Sequence, residues 1–155
     1  MKDIFNFIQS EELGGVKTLL NSNPEVVNSK DSRGSTPLLL ASYYGLEDIT
    51  KEILKCSPDI DIKDGSGNTA LMGVCYKGHY NIVKLLIESG ADVNQKNSNE
   101  ATALIYAATF GQKEIIKLLV ENGADISPRD NRGFTAEMHA KNQGLEISEL
   151  FKLTQ

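Results

Sequence analysis

Apolar residues recur along this chain in two kinds of short burst, separated by polar bridges that carry glycine. One kind reads "IVKLLIESGADVN" from Ile82 and is echoed by "IIKLLVENGADIS" from Ile115. Ile82, Val83, Leu85, Leu86 and Ile87 are spaced to form one wide buried stripe along a helix. The other kind follows a threonine: "TPLLLASYYG" from Thr36, "TALMGVCYKG" from Thr69, "TALIYAATFG" from Thr102 and "TAEMHAKNQG" from Thr135. A threonine hydroxyl at that place caps free backbone amides, and Pro37 suits the first helical position. Each of these bursts is expected to be a short helix of roughly ten residues. Gly45, Gly78 and Gly111 end it where a left-handed backbone costs least. Gly90 and Gly123 close the second helix, and "ADVNQKNSNE" or "ADISPRDNRG" supplies a turn-forming bridge.

Successive threonines stand 33 residues apart, and the same offset relates Val16, Leu20 and Val27 to Ile49, Ile53 and Ile60. A fixed period of this length is the signature of stacked repeats. Five units tile the chain as a single domain, 1–155: an N-terminal capping unit 1–30, internal units 31–63, 64–96 and 97–129, and a C-terminal capping unit 130–155. A helix pair this small cannot bury its own apolar face, so neighbours must stack. The end units depart as caps should. The first lacks the Thr-Pro start, Glu137 stands in the column of Leu38, Leu71 and Leu104, and one residue is missing after Gly144. These features give the expectation of a complete array with wettable ends.

The period, the Thr-Pro-Leu start, the later Gly78-His79 and the run "IVKLLIESGADVN" together resemble the ankyrin repeat over the whole chain. The resemblance implies an all-α solenoid of stacked helix-turn-helix units joined by β-hairpin-like loops. It also implies that hairpin tips and the exposed face of each first helix line a concave groove. One departure is consistent. The histidine of the family's T-P-L-H start is Leu39, Met72, Ile105 and Met138 here, so apolar contact is expected where the family has a polar link.

Composition narrows the function classes. Sixteen basic against 21 acidic residues leave a net charge of −5, which disfavours nucleic acid and anionic membrane as partners. The N-terminus breaks its apolar residues with Asp3, Asn6, Gln9 and Glu11, unlike a signal peptide, and no window is long and apolar enough to span a bilayer. Two cysteines, Cys56 and Cys75, suit a reducing compartment, so the expected location is cytoplasmic.

Candidate chemistry concentrates in "DGSGNTALMGVCYKGHYN", Asp64 to Asn81. Its "GSGNTA" lacks the third glycine and the preceding strand of a dinucleotide loop, so Gly65 and Gly67 read as a hairpin tip. His79 falls in the Gly-His column and reads as a packing and capping residue. Cys75 aligns with Ser42 and Ala108, where helices pack, and reads as a buried, inert thiol. "DIDIKDG" has a lysine where a calcium loop needs oxygen. Nothing in the sequence gives His139 a nucleophile or a carboxylate partner. Neither catalysis, a cofactor nor a metal is expected.

Binding is left. The columns that would face the groove hold Arg33, Ser35, Tyr43, Tyr44, Asn68, Tyr76, Lys77, Thr109, Phe110, Arg132 and Phe134. Four of the ten aromatic residues, five tyrosines and five phenylalanines, fall in two adjacent columns there. Aromatics with arginine are the usual anchors of protein interfaces. The expected function is a monomeric protein-protein interaction module that binds another protein through this face. The alternatives are an inhibitor or immunity-type protein that neutralises a basic toxin or enzyme, and a self-assembling structural array. Three further positions stand out. Gly73, inside a helix, is expected to leave a notch for the Tyr106 ring or a partner's side chain. Ser57-Pro58 replaces the Gly-Ala that ends other second helices, so that loop is expected to run differently. A local shift there would let Glu52 reach water.

Overall fold

The computed structural model describes residues 2–152. Met1 and residues 153–155, which the sequence assigns to the two end units, lie outside the described residues. Ten α-helices follow in order: α1 Ile4–Gln9, α2 Leu13–Ser22, α3 Pro37–Tyr43, α4 Glu47–Leu54, α5 Ala70–Lys77, α6 Tyr80–Glu88, α7 Ala103–Thr109, α8 Lys113–Glu121, α9 Ala136–Asn142 and α10 Ser148–Phe151, with a 3-10 turn at Pro24–Asn28. The fold is all-α, as the pattern predicted. Among the described residues the only β pairing is an isolated bridge between Arg129 and Thr135.

The threonine caps form as expected. Leu39, Met72, Ile105 and Met138 N–H groups donate to Thr36, Thr69, Thr102 and Thr135 at 3.2, 3.3, 3.2 and 3.3 Å. In the first pair Asp3 does the same work reciprocally, accepting from Asn6 N–H at 2.9 Å while its own N–H donates to the Asn6 side chain at 3.0 Å. The helices that follow these caps run only seven or eight residues in the four later pairs, not ten. The ten-residue span from threonine to glycine includes the cap and the closing turn, neither of which is helix.

Helices with caps form one row, α1, α3, α5, α7 and α9, each packed on the next, and the second helices form a parallel row outside it. The core runs unbroken between the rows. Ile53, Val83, Leu86, Ile116 and Leu119 are fully buried in the outer row, Ala41, Val74, Cys75, Ala107 and Ala108 in the inner one. Small side chains in the inner row let those helices approach closely. Leu85 and Ile87 remain half-buried, so the stripe on α6 is narrower than its spacing suggested. Glu137 is half-exposed and pairs with Lys141 at 3.7 Å, where its column-mates Leu38, Leu71 and Leu104 are buried.

Three hydrogen-bond ladders tie each pair to the next. Asn28, Asp61 and Asn94 accept from Asp59, Asp92 and Asp125 N–H at 2.9, 3.0 and 2.7 Å. Lys30 and Lys63 Nζ donate to Lys63 and Lys96 carbonyls at 3.4 and 2.8 Å. At the hairpin tips Gly65, Ser98 and Asn131 N–H groups donate to Arg33, Ser66 and Asn99 carbonyls at 3.3, 3.1 and 2.9 Å. Within each hairpin one side-chain oxygen gathers two amides. Asp31 Oδ1 accepts from Arg33 and Ser35 N–H, and Asp64, Asn97 and Asp130 repeat the pattern at 2.9–3.0 Å. Leu39, Met72 and Ile105 meanwhile bury against the core, while Met138 at the end stays 39% exposed.

Three non-glycine residues among those described hold left-handed backbone: Glu11, at φ 55°, and two at positions that the other internal units give to glycine. Ser57, at φ 49°, matches Gly90 and Gly123 at 98° and 91°. The expectation of a different loop at Ser57-Pro58 fails at this residue, because the chain leaving α4 must turn as its neighbours do to enter the next hairpin. Glu100, at φ 60°, matches Gly34, Gly67 and Gly133. A side chain in that region costs about 1–2 kcal/mol, partly offset by the lower entropy of a non-glycine chain when unfolded. Glu100→Gly therefore raises stability by about 0.5–1 kcal/mol, read as a higher urea midpoint at unchanged slope. A lower midpoint would show that this hairpin is unstrained.

Candidate functional site

Hairpins and inner helices frame an open groove of about 590 Å³, lined among others by Arg33, Ser35, Asp64, Asn68, Gly73 and Tyr106. Tyr43, Tyr44 and Tyr76 stand on its wall. The helix ends explain their posture. Each lies at the C-terminal end of a capped helix, where the rings pack on one another from unit to unit. Tyr43, Tyr44, Tyr76 and Phe110 are 37, 56, 44 and 46% exposed.

The rings touch one another in a continuous chain. Tyr44 meets Tyr43 edge-on at 5.5 Å between centroids, Tyr43 stacks on Tyr76 at 6.4 Å, and Tyr76 meets Phe110 edge-on at 4.7 Å. Tyr76 also meets Tyr106 at 6.2 Å. Lys77 Nζ lies 5.2 Å over the Tyr43 ring. Of the sequence-predicted residues, then, Arg33, Ser35, Tyr43, Tyr44, Asn68 and Tyr76 line one groove, and Lys77 and Phe110 extend its rim. Thr109 spends its hydroxyl on the Ile105 carbonyl at 2.7 Å and is half-buried. Arg132 and Phe134 form a separate pair, the guanidinium 5.6 Å over the ring.

Sequence reasoning missed Tyr106, Asp64 and the floor made by Leu39, Leu40 and Met72. The signal for Tyr106 was its place nine residues after Asn97, whose side-chain amide donates to its hydroxyl at 2.8 Å. At Gly73 a Cβ would meet Tyr43 Cδ1 at 3.4 Å, so the ring from the preceding unit borders the notch, and Tyr106 lines the same groove.

The other candidates resolve into scaffolding. Gly65, Ser66, Gly67 and Asn68 N–H groups are all engaged within or between hairpins, which leaves no amide cradle for a phosphate. His79 Nε2 lies 3.1 Å from the Tyr43 carbonyl, a contact that requires a donating N–H and so caps the end of α3. The same ring explains Gly45: besides its φ of 74°, a Cβ there would lie 2.8 Å from His79 Cε1. Cys75 is fully buried, and burial pushes its thiol far up, away from thiolate. Glu52 is half-buried and met by Lys55 at 2.8 Å and Lys17 at 3.9 Å. The Lys55 hydrogen bond, supported by both lysine charges, holds its carboxyl below the usual range.

His139, left without a partner by the sequence, has one: its Nε2 lies 2.8 Å from Asp130 Oδ2, with the side chains 15 and 10% exposed. Burial works to raise the Asp130 carboxyl, but hydrogen bonds from His139 and from Phe134 and Arg132 N–H outweigh it and hold it below the usual range. A carboxylate depressed in the folded state contributes stability above its unfolded value, about pH 4, and loses it as pH falls through the folded value. Asp130→Asn keeps the Oδ1 acceptor, as Asn97 does, and removes the charge. It is expected to cost about 1 kcal/mol at pH 7 and to flatten the acid side of a melting-temperature profile below about pH 4. An unchanged acid slope would exclude Asp130 as a contributor.

A family model described as ankyrin repeats (3 copies) matches residues 7–97 and again 90–152. No curated protein matches the chain. Among the described residues no helix is long and apolar enough to cross a membrane. The motif columns, the stacked capped helices and this match agree, and the chain belongs to the ankyrin-repeat family, whose members are generally protein-protein interaction modules and typically non-catalytic.

Proposed function

We propose that this protein binds another protein through the groove-bearing face, with Tyr43, Tyr44, Tyr76 and Phe110 as anchors and no catalysis of its own. The observation that carries this reading is the contact chain of those four half-exposed rings beside an open groove. Rings already packed edge-on and stacked lose little freedom on association, so their contact area converts to affinity at low entropic cost. Arg33, Ser35, Asn68 and Lys77 surround them with polar groups, the arrangement of an apolar centre within a polar rim. Thr109, Arg132 and Phe134 complete the face at its far end.

The same reading takes the array as monomeric and places the protein in the cytoplasm. Two free cysteines, one of them buried, support a reducing setting. A buried thiol held as thiol and a half-buried Cys56 make one prediction. A thiol-reactive chromophore is expected to label Cys56 in the folded protein and Cys75 only on unfolding. Equal labelling rates would contradict the packing.

The functional test is the quadruple alanine variant of Tyr43, Tyr44, Tyr76 and Phe110. It is expected to keep the far-ultraviolet circular dichroism of the parent and to lose capture of the native partner from cell extract, while an alanine control at exposed Lys117 on α8 keeps it. Normal capture by the quadruple variant overturns the assignment.

A further inference from the structure

Every hairpin opens on an Asp or Asn whose Oδ1 holds the turn, and in the last two units the other head atom of that side chain meets the residue nine positions later. Asn97 Nδ2 donates to the Tyr106 hydroxyl, and Asp130 Oδ2 accepts from His139, both at 2.8 Å. The head atom is matched to its partner: an amide where a hydroxyl accepts, a carboxylate where an imidazole donates. Positions 40 and 73 are the equivalents in the two preceding units. Leu40 offers no polar atom, and Gly73 offers no side chain at all.

Asp64 therefore keeps Oδ2 without a donor among the described residues, although Oδ1 is fully used by Ser66 and Asn68 N–H. It lines the groove together with Gly73, Tyr43, Tyr76 and Tyr106. Space is present, since a Cβ built on Gly73 meets nothing closer than Tyr43 Cδ1 at 3.4 Å. An open position with an unbraced carboxylate and three aromatic rings around it is complementary to a donating cation.

We propose, building on the groove reading above, that this notch receives an arginine side chain of the partner protein. The guanidinium donates to Asp64 Oδ2, in the direction from which His139 donates to Asp130, and lies against the Tyr43, Tyr76 and Tyr106 rings. Two other cations face this groove. Lys77 already occupies a place over Tyr43 at 5.2 Å, which demonstrates that the ring accepts a cation. Arg33 is exposed and forms no ion pair with Asp64. The planar, weakly hydrated guanidinium stacks on rings and forks onto a carboxylate, which an ammonium ion does not do.

The test is a nitrogen-15 NMR titration of the full chain with the capped tripeptide acetyl-Gly-Arg-Gly-amide, alongside the same peptide with citrulline or glutamate in place of arginine. The arginine peptide is expected to give saturable shifts confined to residues 64–68 and 73–76 and to the Tyr106 amide. Asp64→Asn, which keeps the turn as Asn97 does, is expected to weaken that binding about tenfold. Gly73→His rebuilds the brace of the last unit, so it is expected to raise the melting temperature and abolish the titration. Equal shifts with the citrulline or glutamate peptide, no saturable shift with arginine, or undiminished binding by Asp64→Asn would overturn the proposal. Failure of the arginine peptide with loss of partner capture by the four-ring variant would sink the notch and leave the groove reading standing. Arginine binding with capture undisturbed in that variant would sink the groove reading and, with it, the partner's arginine.

Discussion

No helix in the described chain exceeds ten residues, and none can shield its apolar side by pairing with its own partner alone. Everything else in the structure answers that constraint. Inner helices pack on the next inner helix and outer on the next outer, so that residues such as Val74, Leu86 and Ala107 reach full burial only where two neighbouring units meet. The hydrogen-bond ladders at Asn28, Asp61 and Asn94, and at the hairpin tips, set the register of each unit on the last. Stacking in turn consumes two sides of every unit and leaves the hairpin face unopposed, which is where the aromatic residues collect.

The repetition was plain in the sequence because it rests on local chemistry. Threonine caps, closing glycines and the outer helical stripe each act within a few residues, and each appears in the structure where its column placed it. What could not be read depends on contacts between columns. The Asp130–His139 pair joins two positions nine residues apart that neither caps nor breaks a helix. Ser57 holds the backbone of a glycine because the hairpin that follows requires it, although its own chemistry and the proline after it argue otherwise. The helices came out shorter than the spacing suggested because turn residues share the same periodicity.

The groove and its aromatic wall were legible in part for the same reason. Column arithmetic found Tyr43, Tyr44, Tyr76 and Phe110, and their rings do meet. It also put Arg132 and Phe134 on that face, where they form a pair of their own. It left Tyr106 and Asp64 off that face, although both line the groove beside Gly73. A total of −5 says nothing of the local arrangement, in which Arg33 and Asp64 both line the groove and Lys77 lies over the Tyr43 ring.

Native-state hydrogen exchange tests the dependence of each unit on its neighbours most directly. If burial between units holds the array together, amides of α5 and α7, whose inner-row neighbours are themselves flanked on both sides or lie within the row, exchange slowest, and protection declines through α3 and α9 to α1 and α10. Protection in α1 or α10 equal to that in α5 and α7 would show that the units stand by themselves and would contradict the account.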